Sequence, residues 1–167
     1  MWAARCSRPD RMPEDVTWRM GAAMDQSWVY EDSAVDWEEL SRLYRIAPLG
    51  AKSPKDLKTV FSNSRFRCFV YASGELIGVG RGLADGLDCC YLADVAVHPE
   101  HQGKGLGTAI IEKLIELSRG HKKIILYANP GTEGFYRTLG FYRMNTAMAI
   151  WRNHDQAITD GLISDTD

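Results

Sequence analysis

Apolar side chains along this 167-residue chain switch between helical and alternating spacing, and each switch marks an element boundary. After a β-rich run at 27–31, Trp37, Leu40, Leu43 and Tyr44 fall at helical spacing behind Asp36, which predicts an amphipathic helix with an aspartate cap. Residues 47–54 carry two prolines and a glycine and read as a loop, after which Leu57, Val60 and Phe61 predict a second short helix. The pattern then alternates over 66–72, 76–83 and 90–97. Ser73-Gly74 and residues 84–88 supply turn chemistry between these runs, so an antiparallel meander is expected. Helical spacing returns with Ile110, Ile111, Leu114, Ile115 and Leu117 inside 107–119, and 122–128 is again strand-like. The order strand, glycine-rich turn, helix, strand is a parallel crossover. A short helix at 133–139 stops at Gly140, and 141–151 predicts one or two last strands.

Residues 1–26 show no period and read as a loosely ordered extension, 27–151 as the folded domain, and 152–167 as a polar, acidic tail. The expected class is mixed α/β, an antiparallel front half joined to a crossover in the back half. An apolar fraction of 45% and 20 basic against 22 acidic residues, net −2, are those of an ordinary globule. Without a net positive charge, general nucleic-acid binding is not expected. No run approaches the roughly 20 apolar residues of a membrane span, and 1–12 lack the apolar core of a secretory signal. A cytoplasmic protein without membrane contact is therefore expected. The four cysteines form no CxxC pair and have no histidine at zinc spacing, so neither a disulfide framework nor a metal site is predicted.

Candidate chemistry gathers where the 90–97 strand meets the following helix, in His98-Pro99-Glu100-His101-Gln102-Gly103-Lys104-Gly105-Leu106-Gly107-Thr108. Three alternating glycines running straight into a helix leave backbone amides converging at the positive end of its dipole, a geometry that binds a pyrophosphate. Glycine lets the backbone take positive φ and approach the anion closely, and Lys104 adds a charge. A P-loop would need GxxxxGK followed by Ser or Thr, and a dinucleotide fingerprint GxGxxG; this turn reads GxGxG, so ATP, GTP and NAD fit poorly.

Gln102-Gly103-Lys104-Gly105-Leu106-Gly107 resembles the (Gln/Arg)-x-x-Gly-x-(Gly/Ala) loop of the GNAT superfamily of acyl-CoA-dependent N-acetyltransferases. Asn129 followed by Phe135-Tyr136-Arg137-Thr138-Leu139-Gly140-Phe141 resembles the segment that closes that family's cofactor site, and Asp94-Val95-Ala96-Val97 with Tyr136 is similar to the plant and cyanobacterial serotonin N-acetyltransferase branch. The resemblance implies a mostly antiparallel sheet of six to seven strands, flanked by about four helices and splayed at an acetyl-CoA site. It also implies that main-chain groups of Val95 to Val97, Ala96 between them, lie along the pantetheine arm. Gln102, Gly103, Lys104, Gly105, Leu106, Gly107 and Thr108 would surround the pyrophosphate, with Asn129 beside the pantetheine and Phe135 and Tyr136 near the sulfur end. Tyr136 is then the acid that protonates the thiolate and Asp94 a base acting through water, since Tyr91 and Ala93 stand where many family members place a glutamate or histidine. The implied reaction is direct acetylation of a primary amine, of an arylalkylamine or amino sugar. A protein amine, or an acyl-CoA sensor without catalysis, are the alternatives. Pairing of two copies through the final strands is frequent in the family, so a homodimer is a further expectation.

Overall fold

The computed structural model describes residues 26–47 and 49–164; the expected extension at 1–26 lies almost wholly outside them. Strands β1 (Gln26–Val29), β2 (Phe66–Ala72), β3 (Glu75–Ala84), β4 (Cys89–Val97) and β5 (Lys123–Ile125) form one sheet in the order β1-β2-β3-β4-β5. The first three pairings are antiparallel and β4 with β5 is parallel, joined by helix α3 (Leu106–Leu117) as a crossover.

Helix α1 (Trp37–Ile46) starts where the carboxylate of Asp36 accepts the amides of Glu38 and Glu39, and α2 (Pro54–Ser62) where the Ser53 hydroxyl accepts that of Asp56. Proline at the first position of α2 loses no helical hydrogen bond. Leu40, Leu43, Tyr44, Leu57 and Phe61 of these two helices pack with Phe69, Leu76, Val79 and Ala96 of the sheet. Cys68, Val70, Ile77, Cys90 and Leu92 pack instead with Ile110, Ile111 and Leu114 of α3. Phe69 is thus in one core while its neighbours Cys68 and Val70 are in the other, as strand pleating requires.

Glycine in β3 lets α3 approach closely: a Cβ on Gly80 would stand 2.7 Å from Ile110 Cγ2 and 2.9 Å from Leu114 Cδ1. Both neighbours are fully buried and have no empty space to turn into. Gly80→Val is therefore expected to cost about 2–3 kcal/mol by overpacking. A urea midpoint checks it against Gly120→Ala, where nothing lies within 4 Å of the new methyl group.

Two irregularities open the sheet. Arg81 pairs with Ala93 and Val79 with Ala96, so two steps along β3 match three along β4. The extra residue is taken up at Asp94, a non-glycine at φ 54, and bends β4 as a bulge does. In addition, β5 pairs with β4 only over Cys89, Cys90 and Tyr91; beyond Tyr91 the edge of β4 turned away from β3 continues to Val97 with no strand paired to it among the described residues.

Three expectations are corrected. Residues 141–151 form no strand, so the described residues hold five strands rather than six or seven. With only three residues, β5 is too short an edge to template a further strand, and Tyr142, Met148 and Ile150 stand exposed. The strand expected at 122–128 is accordingly only those three residues. The region expected as a tail holds a helix, α5 (His154–Thr159), capped by Asn153 and burying Ala157, so with α4 (Glu133–Thr138) the described residues hold five α-helices where about four were expected.

Candidate active site

The opening beside β4 is a cavity of about 670 Å³, in the range of small-molecule sites. Along one wall run Asp94, Val95, Ala96 and Val97; Gln102 and Gly107 lie at the turn into α3; Asn129, Thr132, Phe135 and Tyr136 close the opposite side. These include nine of the residues singled out from the sequence. The others, Gly103, Lys104, Gly105, Leu106 and Thr108, belong to the same turn and the first turn of α3, outside the cavity lining.

The turn begins with a single 3-10 turn, Pro99–His101, from which Gln102 folds back to donate its side-chain amide to the Val97 carbonyl at 2.9 Å. Gly103 and Gly105 take φ of 70° and 86°, the left-handed region that residues with a Cβ avoid. Gly105 is the N-terminal cap of α3 and no side chain satisfies the amides that follow. Those of Leu106, Gly107 and Thr108 have no acceptor within the helix, and nothing lies within 4 Å of where a Cβ on Gly103 or Gly105 would be. An anion can approach this backbone without meeting a side chain. Lys104 turns back to donate to the Glu100 carbonyl at 2.7 Å, and the Leu106 side chain is buried, so the turn itself presents backbone rather than side chains.

Tyr136 packs edge-on against Phe135 and Phe141 within the α3-side core, and burial pushes its phenol above the ordinary value of 10. It therefore stays protonated throughout the physiological range.

Asp94 has neighbours that its sequence context conceals. Lys52 Nζ donates to its Oδ1 at 2.6 Å and Arg81 Nε to its Oδ2 at 2.5 Å. Both cations line the cavity with it. Sequence reasoning missed them, together with Thr132 and with Tyr127, whose ring stacks on Tyr91 at 5.8 Å. Arg81 had a readable signal: one charge in the middle of an otherwise apolar strand needs a partner. Lys52, 42 residues from Asp94 in a loop, had none.

A splayed strand edge, a glycine turn into a helix and a half-buried tyrosine thus share one cavity. The sequence model of the Acetyltransferase (GNAT) family matches residues 31–141, which contain all of these features. The chain belongs to that family. Its members use acetyl-CoA as co-substrate, and among the described residues no group of three or more His, Cys, Asp or Glu side chains could hold a metal ion. The sequence is 39% identical over 90 residues to serotonin N-acetyltransferase 2, chloroplastic, of Oryza sativa, covering 51% of this chain and 45% of the relative. It is 46% identical over 69 residues to a histone acetyltransferase of Glycine max, covering 40% and 30%. The chain thus spans less than half the length of these relatives. Among solved structures, a probable acetyltransferase of Staphylococcus aureus superposes with a TM-score of 0.68 at 21% identity over 77% of this chain and 99% of that one. The ribosomal-protein-S18-alanine N-acetyltransferase of Escherichia coli gives 0.62 at 22%, over 72% and 79%. At such identities the GNAT fold is what is shared.

Proposed function

We propose that this acetyltransferase moves an acetyl group from acetyl-CoA directly to a primary amine of a small molecule, of arylalkylamine or amino-sugar type. The observation that carries this reading is the single cavity in which the unpaired edge of β4, the α3 turn and Tyr136 meet. In it, pantetheine lies along Val95 to Val97 as a missing strand would, the pyrophosphate sits on the amides of the glycine turn, and the thioester reaches Asp94 and Tyr136. The name of the rice relative supports the arylalkylamine class.

The roles follow from the reactants. An amine of pKa near 10 is only about one part in a thousand neutral at pH 7, a cost of roughly 4 kcal/mol unless a base takes the proton. Asp94 receives it through water, on the two of its roughly four acceptor positions that Lys52 and Arg81 leave free. The amine attacks the thioester carbonyl, whose oxyanion meets the Val95 N–H. Tyr136 protonates the departing sulfur. Among the described residues no thiol intervenes: burial pushes Cys68 up to about 12 and Cys90 upward too, and neither these nor Cys89 lines the cavity. All three are free thiols, which fits a reducing compartment such as the cytoplasm.

The test is thiol release from acetyl-CoA with arylalkylamines, amino sugars, polyamines and peptide amines in turn. Turnover is expected with a small-molecule class. Turnover with peptides alone would replace the small molecule by a protein amine, the reading favoured by the name of the soybean relative. Binding of acetyl-CoA with no turnover would mark an acyl-CoA sensor.

A further inference from the structure

The charges lining the cavity are Lys52, Arg81 and Asp94, two positive and one negative. They do not face the space equally. The side chain of Lys52 is 35% exposed, while Asp94 and Arg81 keep only 13% and 11%. What a ligand meets first is therefore the ammonium group, with the carboxylate reached only at the two acceptor positions that its partners leave free.

This arrangement is built rather than incidental. The Arg81 guanidinium is held over the Phe61 ring at 6.0 Å and donates through Nη1 to the Ser64 hydroxyl at 3.2 Å. The loop bearing Lys52 is tied to α1 by the Ser41 hydroxyl, which donates to the Lys52 carbonyl at 2.8 Å, and the ammonium lies 5.2 Å from the Tyr44 ring centre. One of the three ammonium donors is used on Asp94, and two remain for a ligand. Arg81 pairs with Ala93 across the sheet, four residues before Val97. At a strand rise of about 3.3 Å per residue the cations lie roughly 13 Å along β4 from the α3 turn, too far to be part of the pyrophosphate cradle.

We propose that the acceptor carries a negatively charged group of its own, a carboxylate or a phosphate, which Lys52 binds at the end of the cavity away from the α3 turn, with Arg81 and Asp94 holding Lys52 in place. This rests on the amine-acetylating reading above and narrows its substrate class. A simple amine arrives as a cation, and its charge adds to the positive surplus already there. An anionic group on the amine offsets that surplus where Lys52 stands and fills the two vacant ammonium donors. The flat face offered by Tyr91 on Tyr127, with Trp151 edge-on to Tyr127 at 6.0 Å, leaves room beside the charge for a ring.

Matched acceptor pairs test this: tryptamine against tryptophan for a carboxylate, and glucosamine against glucosamine 6-phosphate for a phosphate. Each is measured with the wild type, Lys52→Arg, Lys52→Met and Lys52→Glu. In the wild type the anionic member of at least one pair should have a kcat/KM about tenfold or more above its partner, the order expected for one charge-assisted contact. The pair in which this happens tells a carboxylate site from a phosphate site. Lys52→Arg should keep the preference, Lys52→Met abolish it and Lys52→Glu reverse it. Preference for the member without the anionic group in both pairs, or a preference that survives Lys52→Met, overturns the proposal. If no amine is turned over, the enzymatic reading fails on its own, and the anion site is still decided by thermal shift of the acetyl-CoA complex. There, indole-3-propionate or glucose 6-phosphate should stabilise the wild type more than indole-3-propionamide or glucose, and not stabilise Lys52→Met. Equal shifts in both forms overturn it.

Discussion

Tyr136→Phe should lower kcat about 100-fold, the lower end for loss of a positioned general acid, while leaving the dissociation constant of acetyl-CoA unchanged. The phenylalanine ring keeps the edge-on contacts with Phe135 and Phe141, so the pocket keeps its shape and loses one hydroxyl. The pH profile gives a second check. Burial raises the Tyr136 phenol above 10, so its protonated form persists upward in pH and its loss would cut activity only on an alkaline limb above that value. In Tyr136→Phe this limb should be absent. A fall in acetyl-CoA affinity with kcat unaffected would make Tyr136 a wall of the pantetheine channel and not the acid.

Asp94→Asn is expected to cost about 3 kcal/mol of stability and to slow turnover together. Asparagine fits the same space but leaves two cations facing each other, and Arg81, 11% exposed, has little water to turn to. Removing the other partner is milder. Lys52→Met leaves the Arg81–Asp94 pair neutral and intact, and since Lys52 is partly solvated the loss should stay under about 1 kcal/mol. Urea midpoints of the two variants should therefore differ clearly. In the residual activity of Asp94→Asn the pH optimum should rise, because the amine must then lose its proton to bulk solvent and approaches neutrality only near pH 10. An unchanged pH profile alongside the stability loss would make Asp94 a structural counter-ion only.

The helices and the meander were legible because apolar periodicity reports which face of an element is covered. The amphipathic runs of α1 and α3 and the alternation of β2 to β4 all appear with small boundary shifts. The α3 turn was legible because only glycine supplies positive φ cheaply at Gly103 and Gly105. The bulge at Asp94 was not, since a non-glycine residue at φ 54 leaves no mark in composition and is set by the register of β3. Nor was the engagement of Asp94 by Lys52 and Arg81, because a loop lysine 42 residues away becomes its neighbour only once α1, α2 and the sheet are packed. The strand expectation for 141–151 was misleading. It says that a segment could lie on a sheet, and says nothing of whether an edge is there to receive it.

Rapid-quench measurement of CoA released from acetyl-CoA, before and after a primary amine is added, tests direct transfer at this cavity most closely. The account predicts no stoichiometric release from the enzyme alone and steady release once a competent amine is present. A burst of thiol equal to the enzyme before any amine is added would mean a covalent acyl-enzyme, and no amine-dependent release with any primary amine would mean that this cavity binds the thioester without transferring it.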